Sequence, residues 1–298
     1  MLKIWDYVFL LRPVAMLPGW TIILLAQRRN SFNSASTEKL VLVLLAATLL
    51  YSGVYVLNQI FDRETDRLNK KLFFLAEGLI SIRMAVWLTL LFSLSGIMLS
   101  FYLSQTLGTL FFLLFLLSIF YSIPIISFKN KPWLGLLANG IGFGVLNFLV
   151  GWCIYSGLSW KGVLYSIPYF LAISSIFLNT TLLDMEGDKR VNKITLGIKW
   201  GSTKTRWVSF SLILATLISA VLLRDLPIMV TSAVSWIFTL RMIHSKRITD
   251  IVLTNKISIL VLSLWGGYFY PWYLAFLIVG FLATKVYYKY RFQMNYPV

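Results

Sequence analysis

Asn58, Asp62 and Asp66 are spaced by four residues in the stretch NQIFDRETDRLNKK, and Asp184 and Asp188 repeat that spacing in DMEGDKR. On a helix, residues four apart share a face, about one 5.4 Å turn from each other. Each stretch would therefore present a stripe of oxygen donors. Like charges at this spacing repel, and beside a low-dielectric membrane the cost grows, so two such stripes need compensating positive charge. Arg63, Arg67, Lys70, Lys189 and Lys193 are close enough in sequence to supply part of it. A divalent cation supplies it in concentrated form. The chain has one histidine, His244, and one cysteine, Cys153, so a His-based metal site and an internal disulfide are both excluded, and both residues read as structural. That leaves a hard cation held by oxygen. Mg²⁺ fits, because it keeps one or two carboxylates and completes its shell with water and phosphate oxygens. Two acidic helix ends, each holding Mg²⁺, would clamp a diphosphate between them. Glu64 and Glu186 lie two residues from a stripe acid, hence on another face. A solvated loop could carry one such motif; two copies, each ending an apolar helix, argue against it.

The elements that must position these stripes belong to a membrane. Of 298 residues, 58% are hydrophobic and 13% charged, whereas a soluble domain carries about 25% charged residues. The net charge is +16, yet the bases fall in short gaps between apolar runs. That is the pattern of topology signals and of contact with membrane lipids, not of a nucleic-acid surface. The opening MLKIWDYVFLLRP does not read as a signal peptide, because Asp6 and Arg12 interrupt it and no small-residue cleavage site follows. Nine apolar runs stand out, at 13–27, 40–57, 84–103, 107–128, 133–155, 163–183, 207–223, 226–240 and 257–284. The expectation is an all-α, polytopic bundle of nine transmembrane helices, one membrane-embedded domain over 1–298. The ninth run is too short for two crossings, and Pro271 is expected to kink it. Lys and Arg concentrate on the side of the N-terminus, which predicts a cytoplasmic N-terminus. Four runs separate the acidic stretches 58–83 and 184–206, so both face that same side.

At these residues the chain resembles the UbiA superfamily of intramembrane prenyltransferases. That family's pattern is Asn-x-x-x-Asp-x-x-x-Asp after the second helix and Asp-x-x-x-Asp after the sixth, here Asn58-QIF-Asp62-RET-Asp66 and Asp184-MEG-Asp188. The tail DKRVNKITLGIKWG, the LRP at 11–13, the YSIPIISFK at 121–129 and the GLIS at 78–81 are similar as well. The family's Arg-Pro…Pro-Ser-Gly stretch after the first motif is replaced by KKLFFLAEGLIS. That resembles a branch with carotenoid and other lipid-modifying members, and disfavours a small aromatic acceptor.

The resemblance implies a bundle around a central cavity, and Mg²⁺-dependent transfer of an isoprenyl group from an isoprenyl diphosphate to a lipophilic acceptor. Asn58, Asp62, Asp66, Asp184 and Asp188 would hold the ions. In that chemistry Lys129, Arg67, Lys193 and Arg12 are candidates to contact the diphosphate. Tyr121, at the end of the fourth run, is a candidate to face the allylic cation. Asn139 and Asn147, inside the fifth run, are candidates for the acceptor or for helix–helix hydrogen bonds. Gly135, Gly140, Gly142 and Gly144 mark close packing or a kink there. The rival is a transporter with an acidic ion-coupling site, but such sites tend to lie at mid-membrane in broken helices.

Overall fold

A computed structural model describes residues 2–30, 37–68, 73–294 and 296 of the chain. Among the described residues the regular elements are all helical, and ten segments are long and apolar enough to span a membrane. The first span is broken near its start. Helix α1 (Leu2–Leu10) stops, Arg12 adopts a left-handed backbone at φ 58°, and a 3-10 turn (Pro13–Met16) leads into α2 (Leu17–Asn30). The ring of Pro13 disfavours the right-handed helical conformation at the residue before it, so the break falls at Arg12.

Helix α3 (Thr37–Leu68) has 32 residues. At 1.5 Å per residue it is about 48 Å long, well beyond the ~30 Å of hydrocarbon it must cross. Its last turns therefore carry Asn58, Asp62 and Asp66 out of the apolar layer. Beyond it, α4 (Phe73–Ala76) packs with Phe9, Tyr287 and Tyr288 in a small aromatic core on the acid-bearing side.

Helix α5 (Ile82–Leu103) holds α3 in place. Its buried face reads Ala85, Thr89, Ser93, Gly96 and Ser100, while Trp87, Leu91 and Met98 face outward. Lipid tails are as apolar as leucine, so helices in a bilayer associate through close packing of small residues instead. A Cβ at Gly53 would stand 2.1 Å from Ser93 Oγ and 2.8 Å from the Thr89 carbonyl; one at Gly96 would stand 2.8 Å from the Ala46 carbonyl. Gly53→Ala should therefore force α3 and α5 apart. The expected cost is about 1–3 kcal/mol, read as a lower thermal midpoint of the solubilised protein. An unchanged midpoint would mean that this contact does not hold α3.

The fourth span is α6 (Gln105–Ser122). The fifth is composite: α7 (Pro132–Asn139), a π-helical stretch over Gly140–Leu146, and α8 (Asn147–Trp152). Gly140, Gly142 and Gly144 thus lie in a widened turn, while Gly135 sits in α7. Then come α9 (Trp160–Leu183), the short α10 (Met185–Arg190), α11 (Leu196–Leu222) and α12 (Leu226–Ser245). Buried hydrogen bonds join this half of the bundle: Ser209 Oγ to Asn179 at 2.9 Å, Asn179 to Asn255 at 2.9 Å, and Ser235 with Ser258 at 2.7 Å.

The ninth apolar run divides. Helix α13 (Ile248–Phe269) ends at Tyr270, and Pro271 opens α14 (Pro271–Phe292) instead of kinking one helix. Proline suits the first helical position, where its missing N–H has no partner to lose. Two spans fit because each helix extends past the apolar run. Asp250, Thr254 and Asn255 lie buried in α13, and Lys285 and Lys289 prolong α14. The end of α14 returns to α1: Arg291 donates two 3.0 Å hydrogen bonds to the Asp6 carboxylate, which also accepts from the Tyr287 hydroxyl. Lys285, Lys289 and Arg291 thereby join the acid-bearing, base-rich side, and the charge asymmetry between the faces grows.

Candidate active site

The two acidic stretches meet. The end of α3 packs against α10, and each stretch brings one lysine-paired aspartate. Asp62 Oδ1 accepts from Lys129 Nζ at 2.7 Å, with Lys129 7% exposed. Asp188 Oδ1 lies 3.3 Å from Lys193 Nζ, with Asp188 2% exposed. Both lysines are aimed by left-handed residues. Ser127, at φ 43°, turns the chain into the tight turn Phe128–Asn130. Asn192, at φ 54°, reverses it after α10, so that the Lys193 amide bonds the Asp188 carbonyl at 2.9 Å. Asparagine tolerates this backbone well.

The electrostatics tie the stretches together. Burial pushes the Asp188 carboxyl above the usual carboxylate range; Lys193 opposes the shift, while Asp184 and Asp62 add to it. Burial acts to lower Lys193, but Asp188, Asp62 and Tyr121 outweigh it and its pKa is raised. Asp62, from one stretch, thus acts on Asp188 and Lys193, from the other. Asp66 is buried and Asp184 half-buried, while Glu64 and Glu186 are exposed, as their offset from the stripes predicts.

Arg67 is exposed. Its guanidinium donates to the Ala76 carbonyl at the end of α4 and does not line the cavity beneath the acids. Lys70 lies outside the described residues.

Beneath the acids is a cavity of about 330 Å³. Asn58 stands at its top, where Ser122 Oγ donates to Asn58 Oδ1 at 3.3 Å. Arg12 lines it too, with its guanidinium 5.5 Å over the Tyr55 ring and a buried Nε lacking a hydrogen-bond partner. Tyr121 and Asn139 line it as hydrogen-bonding neighbours. Tyr55 stacks on Phe143 at 6.4 Å, and Tyr51 lies 6.3 Å from the same ring. At the inner end the Tyr51 hydroxyl donates to Asn147 Oδ1 at 2.8 Å, and the fully buried Asn147 Nδ2 has no partner.

Of the residues singled out in the sequence, Asn58, the four aspartates, Lys129, Lys193, Arg12, Tyr121, Asn139 and Asn147 come together in this region; Tyr51, Tyr55, Ser122 and Phe143 join them without having been singled out. A step of three residues inward from Asn58, then one of four, stays on that face of α3 and reaches Tyr55 and Tyr51.

Among the described residues no three carboxylates close into a ready metal cage. The donor set is nonetheless all oxygen, and lysine ammoniums stand against two of its carboxylates. Asp188 Oδ1, although within ion-pair distance of Lys193, is buried without an aligned hydrogen bond. This fits Mg²⁺ held by few carboxylates with water and phosphate oxygens, and not an all-protein Ca²⁺-type site.

The fold has solved counterparts. A UbiA homolog from Archaeoglobus fulgidus bound to GPP and Mg²⁺ superposes with TM-score 0.70 at 21% identity, covering 88% of this chain and 98% of that one. The apo UbiA homolog from Aeropyrum pernix gives 0.66 at 17% identity, covering 84% and 94%. In sequence, chlorophyll synthase of Avena sativa is 24% identical over 210 residues, 67% of this chain and 56% of the oat protein. Digeranylgeranylglyceryl phosphate synthase of Methanosphaera stadtmanae is 26% identical over 219 residues, 73% of this chain and 77% of the archaeal one. This chain spans about half the length of the plant relatives it matches. The UbiA prenyltransferase family matches residues 15–250, and with that extent of agreement the chain belongs to this family.

Proposed function

We propose that this protein transfers an isoprenyl group from an isoprenyl diphosphate to a lipophilic acceptor within the membrane, with Mg²⁺, at a site opening on the cytoplasmic face. The observation that carries this reading is the convergence of two lysine-paired aspartates, one from each stretch, above an aromatic-lined cavity. Asn58, Asp62 and Asp66 would hold one Mg²⁺, and Asp184 and Asp188 the other. When bound, the ions supply Lewis-acid charge to the departing diphosphate. Lys129, Lys193 and Arg12 bind and orient its oxygens. The allylic carbon–oxygen bond breaks, pyrophosphate leaves, and the acceptor bonds to the allylic carbon and loses a proton. Tyr55, Tyr121 and Phe143 turn aromatic faces toward the space where positive charge develops, and the buried chamber excludes water. The names of the Archaeoglobus and Methanosphaera relatives, with their isoprenyl diphosphate ligand and lipid product, support the same chemistry. The base-rich side supports the cytoplasmic orientation. The transporter reading is disfavoured because the acids stand at helix ends and not at mid-span.

Purified protein in lipid nanodiscs should release pyrophosphate from an allylic diphosphate only with Mg²⁺, and only when an acceptor is present. Uptake by proteoliposomes without chemical change would favour the transporter instead.

Asn147 serves the acceptor in this reading. An amide N–H buried without a partner costs about 1–3 kcal/mol, which an acceptor oxygen at the cavity's inner end would offset. Asn147→Leu is expected to raise the acceptor KM about tenfold and leave the donor KM unchanged. Tyr51→Phe, which removes only the hydroxyl partner, should change it less. A shift in donor KM alone would assign the amide to the isoprenyl tail.

A further inference from the structure

The membrane face opposite the acids is poor in bases. Between the spans on that side the sequence holds Arg28, Arg29, Lys39, Lys161 and Arg224. All of these except Lys39 line one pocket of about 420 Å³, formed by the end of α2, the start of α9 and the turn from α11 to α12. Among the described residues its only acidic lining residue is Asp225, so four bases face one acid.

Arg29 and Asp225 form the wall of the pocket. Arg29 donates to the Arg224 carbonyl at 3.1 Å and to the Leu223 carbonyl, stands 3.6 Å from Asp225 Oδ2, and stacks 4.0 Å over the Tyr165 ring. The buried Asp225 also accepts from the Tyr169 hydroxyl at 3.3 Å. With that acid matched by Arg29, the exposed bases Lys161 and Arg224 stand in the lining without a second carboxylate among the described residues. Lys161 and Arg224 are exposed at the rim. Leu25, Trp152 and Phe269 give the pocket an apolar side.

Topology signalling does not explain this. It depletes bases on one face but does not require the remainder to converge on a single concavity. Clustered bases beside an apolar wall, at the level where helices end, suit a ligand with an anionic head and a hydrocarbon body. We infer that this pocket binds the phosphate of an anionic lipid headgroup, in the leaflet opposite the aspartates.

The test compares thermal midpoints of the full chain in phosphatidylcholine nanodiscs with and without phosphatidylglycerol. Phosphatidylglycerol should raise the midpoint by about 3 °C or more. Lys161→Gln and Arg224→Gln should each abolish most of that rise, and Lys39→Gln, the same-face base outside the pocket, should keep it. Mass spectrometry of lipid retained through purification supplies a second readout, with phosphatidylglycerol lost from the two rim variants only. The inference is overturned by no rise, by an equal loss in Lys39→Gln, or by inorganic phosphate alone reproducing the effect in phosphatidylcholine.

Discussion

Asp188→Asn is expected to slow pyrophosphate release about 10²–10³-fold with the fold intact. The change preserves shape in a position only 2% exposed, so it removes charge without opening a cavity. The loss is of the order seen when one preorganised electrostatic group is deleted at a reacting centre. Asp62→Asn should act alike from the other stretch, because Asp62 and Asp188 act on the same lysine. The double variant should lose much less than the product of the two single effects, as groups that work as a unit do. The rate is measured as pyrophosphate released from an allylic diphosphate, and integrity by the thermal midpoint in the same nanodiscs. Near-parental turnover in either folded variant would remove the aspartates from the chemistry.

Lys129→Met should weaken donor binding at least tenfold and change how the protein responds to Mg²⁺. Lys129 is buried and holds Asp62 at 2.7 Å. Without the ammonium, that carboxylate stands beside the membrane with no direct counter-ion, and losing one partner of a buried pair is costly. Because Asp62 is 17% exposed, the penalty should be about 1–3 kcal/mol, below the fully buried limit. A divalent cation beside Asp62 would relieve it. Added Mg²⁺ should therefore raise the thermal midpoint of the variant more than that of the parent. Equal responses would indicate that Mg²⁺ does not bind next to Asp62.

The acid stripes were legible because spacing by four has one geometric meaning on a helix, and an even number of spans returns the chain to the same face. Lys129 was legible as a base bordering an apolar run on that face, and Lys193 as a base inside the second acidic stretch. The division at Pro271 was not legible from hydropathy, since the helices recruit Asp250 and Asn255, whose polarity is satisfied inside the bundle, and Lys285 and Lys289 beyond the run. Arg67 shows the limit of proximity in sequence. One residue past Asp66 is a turn of about 100° around the helix, and its guanidinium reaches the Ala76 carbonyl instead. Tyr51 and Tyr55 were hidden for another reason: they lie inside the apolar run 40–57, one position off the strict four-residue series that marks Asn58, Asp62 and Asp66.

Because α3 is one unbroken rod from Tyr51 to Asp66, the inner wall of the chamber and the diphosphate end belong to a single rigid body. The distance along it from Tyr51 to Asp62 is about 16 Å at 1.5 Å per residue. Inserting or deleting one residue between them would swing either the rings or the carboxylates by about 100°, so this stretch is closed to length variation. A relative could accommodate a longer or shorter chain only by exchanging side chains along the rod, never by resizing it.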